Sequence, residues 1–104
     1  MGFADMLLDL RITYDSKESL ELIDALGSFM RKEAMQASKE LAELKGPFRD
    51  YDPKRYDYEA RRNILLLAIA PTASISLLCG VSSGIDSNFA MVYSRENQFG
   101  KFTV

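Results

Sequence analysis

Ile64-Leu65-Leu66-Leu67-Ala68-Ile69-Ala70, followed at once by Pro71-Thr72-Ala73-Ser74-Ile75-Ser76, is the stretch that decides the fold. An apolar run without polar alternation predicts a strand buried on both faces, the pattern of a parallel sheet flanked by helices. Pro71 stops the run, and Thr72 to Leu78 reads as a short helix closed by Gly80. Beyond it, Ser82-Ser83-Gly84 reads as a turn. Phe89-Ala90-Met91-Val92-Tyr93 reads as a second buried strand.

Upstream, the pattern changes to helical spacing. Phe3, Met6, Leu7 and Leu10 fall on one side of residues 3–12, with Asp5 and Asp9 on the other, which predicts a short amphipathic helix. Asp15 is placed to cap a second helix, with Glu18 three residues on completing a capping-box-like pair. That helix is expected over residues 16–45. Ile23, Leu26, Met30, Ala34, Ala37, Leu41 and Leu44 stack into a single apolar stripe along it. Gly46-Pro47 ends it, because glycine accepts the left-handed cap and proline cannot continue the hydrogen-bond ladder. Residues 47–60 (PFRDYDPKRYDYEA) read as a solvated connection with partly packed rings. The chain is thus expected to be one partial α/β domain: a helical part at 1–46, a surface loop at 47–62, and a strand-loop-helix-strand part at 63–104.

Composition narrows the function classes. The 104 residues suit one small domain, and a net charge of -2 gives no reason to expect a nucleic-acid surface. Of the 13 basic groups only Arg95 and Lys101, and of the 15 acidic groups only Asp86 and Glu96, lie beyond residue 62. The C-terminal part therefore reads as interior and the N-terminal part as a solvated layer. A single cysteine and no histidine exclude an intrachain disulfide framework and any nucleophile that needs histidine as its base. A structural zinc site is not expected either. The N-terminus lacks the basic start and apolar run of a signal peptide, so a cytoplasmic setting is expected. Ile64 to Ile85 is uncharged and long enough to span a bilayer, but Pro71, Gly80, Gly84 and several hydroxyl residues interrupt it. A membrane span is not expected.

Chemistry centres on Ala70 to Ser76. Ligands of α/β folds collect at the C-terminal ends of parallel strands, and a helix opening there offers unpaired N–H groups to an anion. Thr72, Ser74 and Ser76 add hydroxyls, and Ala73 leaves room for close approach, so the stretch can cradle phosphate without a lysine. The alternative is that these hydroxyl residues only cap the helix. Both remain open on the residues alone. The absence of G-x-x-x-x-G-K-[ST] excludes an ordinary nucleotide P-loop. Cys79 is expected to be a small buried apolar residue, and Asp86 to stabilise a turn.

Met1-Gly2-Phe3-Ala4-Asp5-Met6-Leu7, Tyr14-Asp15-Ser16, Arg61-Arg62-Asn63, Ala70 to Ser76 and Ser82-Ser83-Gly84-Ile85-Asp86 occur in this order. The ordered set resembles ribonucleotide reductase large subunits, closest to the adenosylcobalamin-dependent class, across essentially the whole chain. The resemblance implies a late piece of a ten-stranded α/β barrel. It also implies a Pro-Thr-Gly-Ser/Thr-Ile-Ser loop that binds substrate phosphates, matched here by Thr72, Ala73, Ser74, Ile75 and Ser76. Ala73 stands where the family usually has glycine, and Asp86-Ser87 where it commonly has Glu-Pro. The radical-forming cysteine, the redox cysteine pair and an Asn-x-Cys-x-Glu pattern have no counterpart in this sequence.

The chain is therefore expected to be a part of such a reductase that orients a ribonucleoside di- or triphosphate. Catalysis and the adenosylcobalamin would lie in the remainder of the barrel, and this part alone would not be active. The competing expectation is a non-catalytic helical module that self-associates through the stripe on residues 23–44.

Overall fold

Phe3–Asp9 forms helix α1, with Ala4 and Leu7 buried and Phe3 and Met6 half-buried. It is shorter than the periodicity predicts because Arg11 takes a left-handed conformation (φ 58). Arg11 N–H donates to the Leu8 carbonyl (3.0 Å) and Ile12 N–H to the Leu7 carbonyl (2.8 Å). This paired closure normally uses glycine, and its absence hid the helix end from the sequence. The computed structural model describes residues 1–90, 92, 94–97 and 100–103.

Helix α2, Lys17–Lys45, agrees with the predicted span to within a residue. Its cap does not fall on Asp15. Asp15 is itself left-handed (φ 63), and the Ser16 hydroxyl accepts the Ser19 N–H at 3.1 Å. The buried Ser19 hydroxyl returns a bond to the Ser16 carbonyl at 2.8 Å. Ser16 and Ser19 thus fill the roles expected of Asp15 and Glu18. At the other end Gly46 is left-handed (φ 80), and its N–H donates to the Ala42 carbonyl (2.8 Å), as expected.

The chain divides into two units, residues 1–20 with 69–104 and residues 21–68. In the second unit α2 follows the predicted stripe only in part, with Ile23, Leu26 and Ala34 half-buried. Ser38 and Ala42 are buried, whereas Met30, Leu41 and Leu44 are exposed. The rotation has a polar cause. The Ser38 hydroxyl accepts the Asn63 N–H (2.9 Å) and donates to the Asn63 side-chain oxygen (3.1 Å). The Ser38 carbonyl accepts the Arg62 N–H (2.8 Å). The Arg62 guanidinium then reaches the carbonyls of Gly46 and Pro47, both at 3.3 Å, at the negative end of α2. Apolar periodicity cannot register a face organised around a serine.

Between those anchors, residues 47–61 are more ordered than a solvated connection. Phe48, Tyr51, Tyr56 and Tyr58 pack on one another, with Phe48 edge-on to Tyr51 and Tyr56 at 5.5 and 5.3 Å. The Arg61 guanidinium lies 4.1 Å from the Tyr58 ring centre. Tyr51 donates its hydroxyl to the Tyr58 carbonyl (2.8 Å), and the Phe48 N–H donates to the Arg61 carbonyl (3.1 Å), which closes the loop at its neck. Lys39 pairs with Glu59 at the rim.

The predicted buried strand at Ile64–Ala70 is not formed. Residues 64–70 pair with no other strand, and Leu65 and Ile69 are 84% and 77% exposed. A strand exists only with a neighbour to accept its hydrogen bonds, and the described strands lie elsewhere: β1, Ser94–Asn97, and β2, Gly100–Thr103. These form an antiparallel pair that sets Glu96 opposite Lys101. The expectation that residues 63–104 are interior is corrected with the strand. Of the second strand expected at 89–93, Met91 and Tyr93 lie outside the described residues, while Phe89 and Val92 are exposed and belong to no strand.

Two outcomes test this packing. Ser38→Ala leaves the Asn63 N–H without its acceptor and should lower stability by about 1–3 kcal/mol in urea unfolding. Lys39 holds the Glu59 carboxyl below the usual glutamate range, first by hydrogen bonding and then by charge. A lowered pKa means the pair contributes above that range and is lost as pH falls through the lowered value. In Lys39→Met the Glu59 titration midpoint followed by NMR should return upward.

Candidate functional site

Helix α3, Ala73–Cys79, opens within one residue of the expected position. It closes at left-handed Gly80 (φ 65), with Val81 N–H donating to the Ser76 carbonyl at 3.0 Å. Thr72 precedes it in a left-handed conformation (φ 53), which is uncommon for a β-branched residue and costs about 1–3 kcal/mol unless neighbours enforce it. The Ser82–Gly84 turn supplies that enforcement. The Gly84 N–H donates to the Thr72 hydroxyl oxygen at 2.7 Å, and the Ser83 and Ser76 hydroxyls share a bond of 2.9 Å. Ser76 gives its own proton to the Ala73 carbonyl (3.1 Å), so Ser83 is the donor to Ser76.

Gly84 is itself left-handed (φ 51), and a Cβ there would stand 3.0 Å from the Ala70 carbonyl oxygen. Two backbones approach closely at this point, and only glycine permits it. The turn is anchored from α1. Asp5 accepts the Ser82 N–H (2.6 Å) on one carboxylate oxygen and the Asn88 amide (3.3 Å) on the other. The Gly2 N–H donates to the Ser82 carbonyl (2.8 Å). Nearby, the Tyr14 hydroxyl donates to the Ile85 carbonyl (2.9 Å), and the Asp86 N–H closes the turn onto the Ser83 carbonyl (3.1 Å).

The candidate residues divide by role. Ser76 is buried at 2% exposure, and its hydroxyl is consumed internally. Thr72 and Ala73 are half-buried, while Ser74 and Ile75 are exposed at the opening of the helix. No side chain caps α3. The Thr72 side chain makes no cap hydrogen bond, and the N–H groups of Ser74 and Ile75 have no acceptor within their own helix. The Thr72 hydroxyl only accepts, so its proton remains available. Ala73 is helical, and the special backbone angle falls on Thr72, so alanine in place of glycine carries no conformational penalty.

Ser82-Ser83-Gly84 and Asp5 entered the sequence reading as a turn, a polar face and parts of the family-like motif set, with no role at the site. A glycine and two serines a short helix away from another hydroxyl-rich turn were the available signal. Cys79, expected to be buried, is exposed at the end of α3 beside exposed Leu78. Among the described residues no group of three or more His, Cys, Asp and Glu could hold a metal, and no helix is long and apolar enough to cross a membrane.

The sequence pattern of the ribonucleotide reductase barrel domain matches residues 1–61 and 57–104, which together take in the entire chain. The chain belongs to the ribonucleotide reductase family. It is 41% identical over 97 residues to a vitamin B12-dependent ribonucleoside-diphosphate reductase of Thermoplasma acidophilum, covering 91% of this chain and 13% of that protein. A vitamin B12-dependent ribonucleoside-diphosphate reductase of Mycobacterium tuberculosis is 38% identical over 96 residues, covering 91% of this chain and 14% of its own length. The ribonucleoside-diphosphate reductase subunit alpha of Chlamydia muridarum is 28% identical, covering all of this chain and 14% of its own. This reductase-family chain thus spans about 13–14% of the length of these relatives. The Chlamydia alignment runs to 143 positions against 104 residues, so that protein carries additional residues within the match. The two pattern matches overlap at residues 57–61, within the tyrosine-rich loop.

Gly84→Ala should destabilise the unit holding α3 by about 1–3 kcal/mol, because both the backbone angle and the Ala70 carbonyl oppose a Cβ. Faster hydrogen exchange at Ser76 and Val81, with Asn63 unchanged, is the expected signature.

Proposed function

We propose that this chain is the substrate-phosphate segment of a ribonucleotide reductase barrel, with a ribonucleoside diphosphate as the ligand. One observation carries the proposal: Thr72 to Ser76 form a latched turn at the mouth of α3. It offers the Ser74 and Ile75 amides, the exposed Ser74 hydroxyl and the Thr72 proton, while Ser76 braces the turn from within. Such an array suits the oxygens of a phosphate without a lysine. The relatives' names supply the diphosphate.

The parent reaction, replacement of the ribose 2′-hydroxyl by hydrogen, asks of this segment only that it hold and orient the phosphate end. The adenosylcobalamin implied by the relatives' names would be held by the remainder of the barrel. The chain has no histidine, and its one cysteine is exposed on α3, outside the turn. No step of the chemistry is assigned to these residues. Within the barrel, the exposed Ile64–Ala70 run would become a parallel strand once neighbouring strands cover Leu65 and Ile69. The competing reading, self-association through α2, is supported by the exposure of Phe29, Met30 and Leu44.

Titration of the isotopically labelled chain with ADP should shift the amides of Thr72 to Ser76, whereas adenosine should leave them unmoved. Ser74→Asp should weaken ADP binding at least about tenfold through like-charge repulsion. Identical responses to ADP and adenosine, together with a stable oligomer in sedimentation that is lost in Phe29→Glu, would favour the helical module instead.

A further inference from the structure

The phosphate turn depends on a second turn, and a carboxylate at the other end of the chain is one of that turn's anchors, beside the Gly2 N–H. Thr72 is held left-handed by the Gly84 N–H, and Ser76 is held by the Ser83 hydroxyl. Both contacts come from Ser82–Gly84, and Ser82 is buried. Asp5 takes the Ser82 N–H at 2.6 Å, its own N–H lies 3.4 Å from the Ser82 hydroxyl, and Asn88 occupies its second oxygen. Through these bonds Asp5 sets where Ser82 sits, Ser82 fixes its neighbours Ser83 and Gly84, and those two fix Thr72 and Ser76. Asp5 itself lies on α1, and its side-chain hydrogen bonds go to Ser82 and Asn88 rather than to Thr72–Ser76.

Resting on the phosphate reading above, we infer that Asp5 is a positioning residue for that site, tuning its affinity for a ribonucleoside diphosphate through the Ser82–Gly84 turn. Its charge is opposite to what an anion site would recruit for contact, so its effect is transmitted through geometry. The bond needs an acceptor, not a negative charge. An amide oxygen at the same place can accept the Ser82 N–H, and Asn88 can turn its own oxygen toward the new amide.

The chain titrated with ADP distinguishes the outcomes. Asp5→Ala should weaken binding by about tenfold, the scale of a lost hydrogen bond to a charged group, while Asp5→Asn should stay within about threefold. A purely structural loss would not be rescued in this way. Equal affinity in Asp5→Ala and the parent chain overturns the inference and leaves the phosphate reading standing. No response to ADP in the parent chain overturns both. Because coupling between sites is reciprocal, a measurement on the unaltered chain serves if Asp5→Ala does not fold. Saturating ADP should slow hydrogen exchange at the Ser82 and Gly84 amides as well as at Ser74, and protection confined to Ser74 counts against the inference.

Discussion

A left-handed threonine next to a helix is a poor conformation unless something holds it, and the Gly84 N–H bond to the Thr72 hydroxyl is what holds it. The other features of the site follow from that bond. The Thr72 side chain is turned to the 82–84 turn and makes no cap on α3, and the Ser74 and Ile75 amides have no acceptor within that helix. It draws the 82–84 turn so near Ala70 that only glycine fits at position 84. Asp5 and Gly2 then supply the anchoring that keeps the turn in place.

Segments far apart in sequence therefore act as one assembly. Residues 1–7, Tyr14, the 70–76 stretch and the 82–86 turn all fall in one unit, joined by side-chain bonds to backbone. Among the described residues its buried apolar side chains are those of Ala4 and Leu7, and Ser19, Ser76 and Ser82 are buried as well. Buried hydroxyls need defined partners, and so they fix geometry in a way that an interchangeable aliphatic core does not.

Legibility from sequence followed the range of the forces involved. The extent of α2, its glycine stop and the opening of α3 were readable because propensity and capping act over a few residues. The rotation of α2 about Ser38 and the work of Arg62 at its end were not, since they depend on Asn63 and Arg62 folding back across a loop. Asp15 was displaced by Ser16 for a local reason, the left-handed turn at Asp15, which neighbouring residues do not announce. The Ile64–Ala70 strand failed on different grounds. Its apolar pattern describes surroundings made by other strands, and among the described residues none lies beside it. At the site, the helix mouth could be read from Thr72 to Ser76, whereas its dependence on Asp5 spans almost the whole sequence and left no local trace.

The neck of the tyrosine-rich loop has an evolutionary corollary. Where the Phe48 amide meets the Arg61 carbonyl, both strands of the loop are already pinned side by side. Chain inserted beyond such a pinch adds little free-energy cost, since closure entropy rises only by about 0.6 kcal/mol per doubling of length. A relative with extra residues at this point would carry them as an outgrowth, leaving the stem at Ser38 and Asn63 undisturbed. Lineages are thus free to vary this excursion in size without renegotiating the scaffold that carries it.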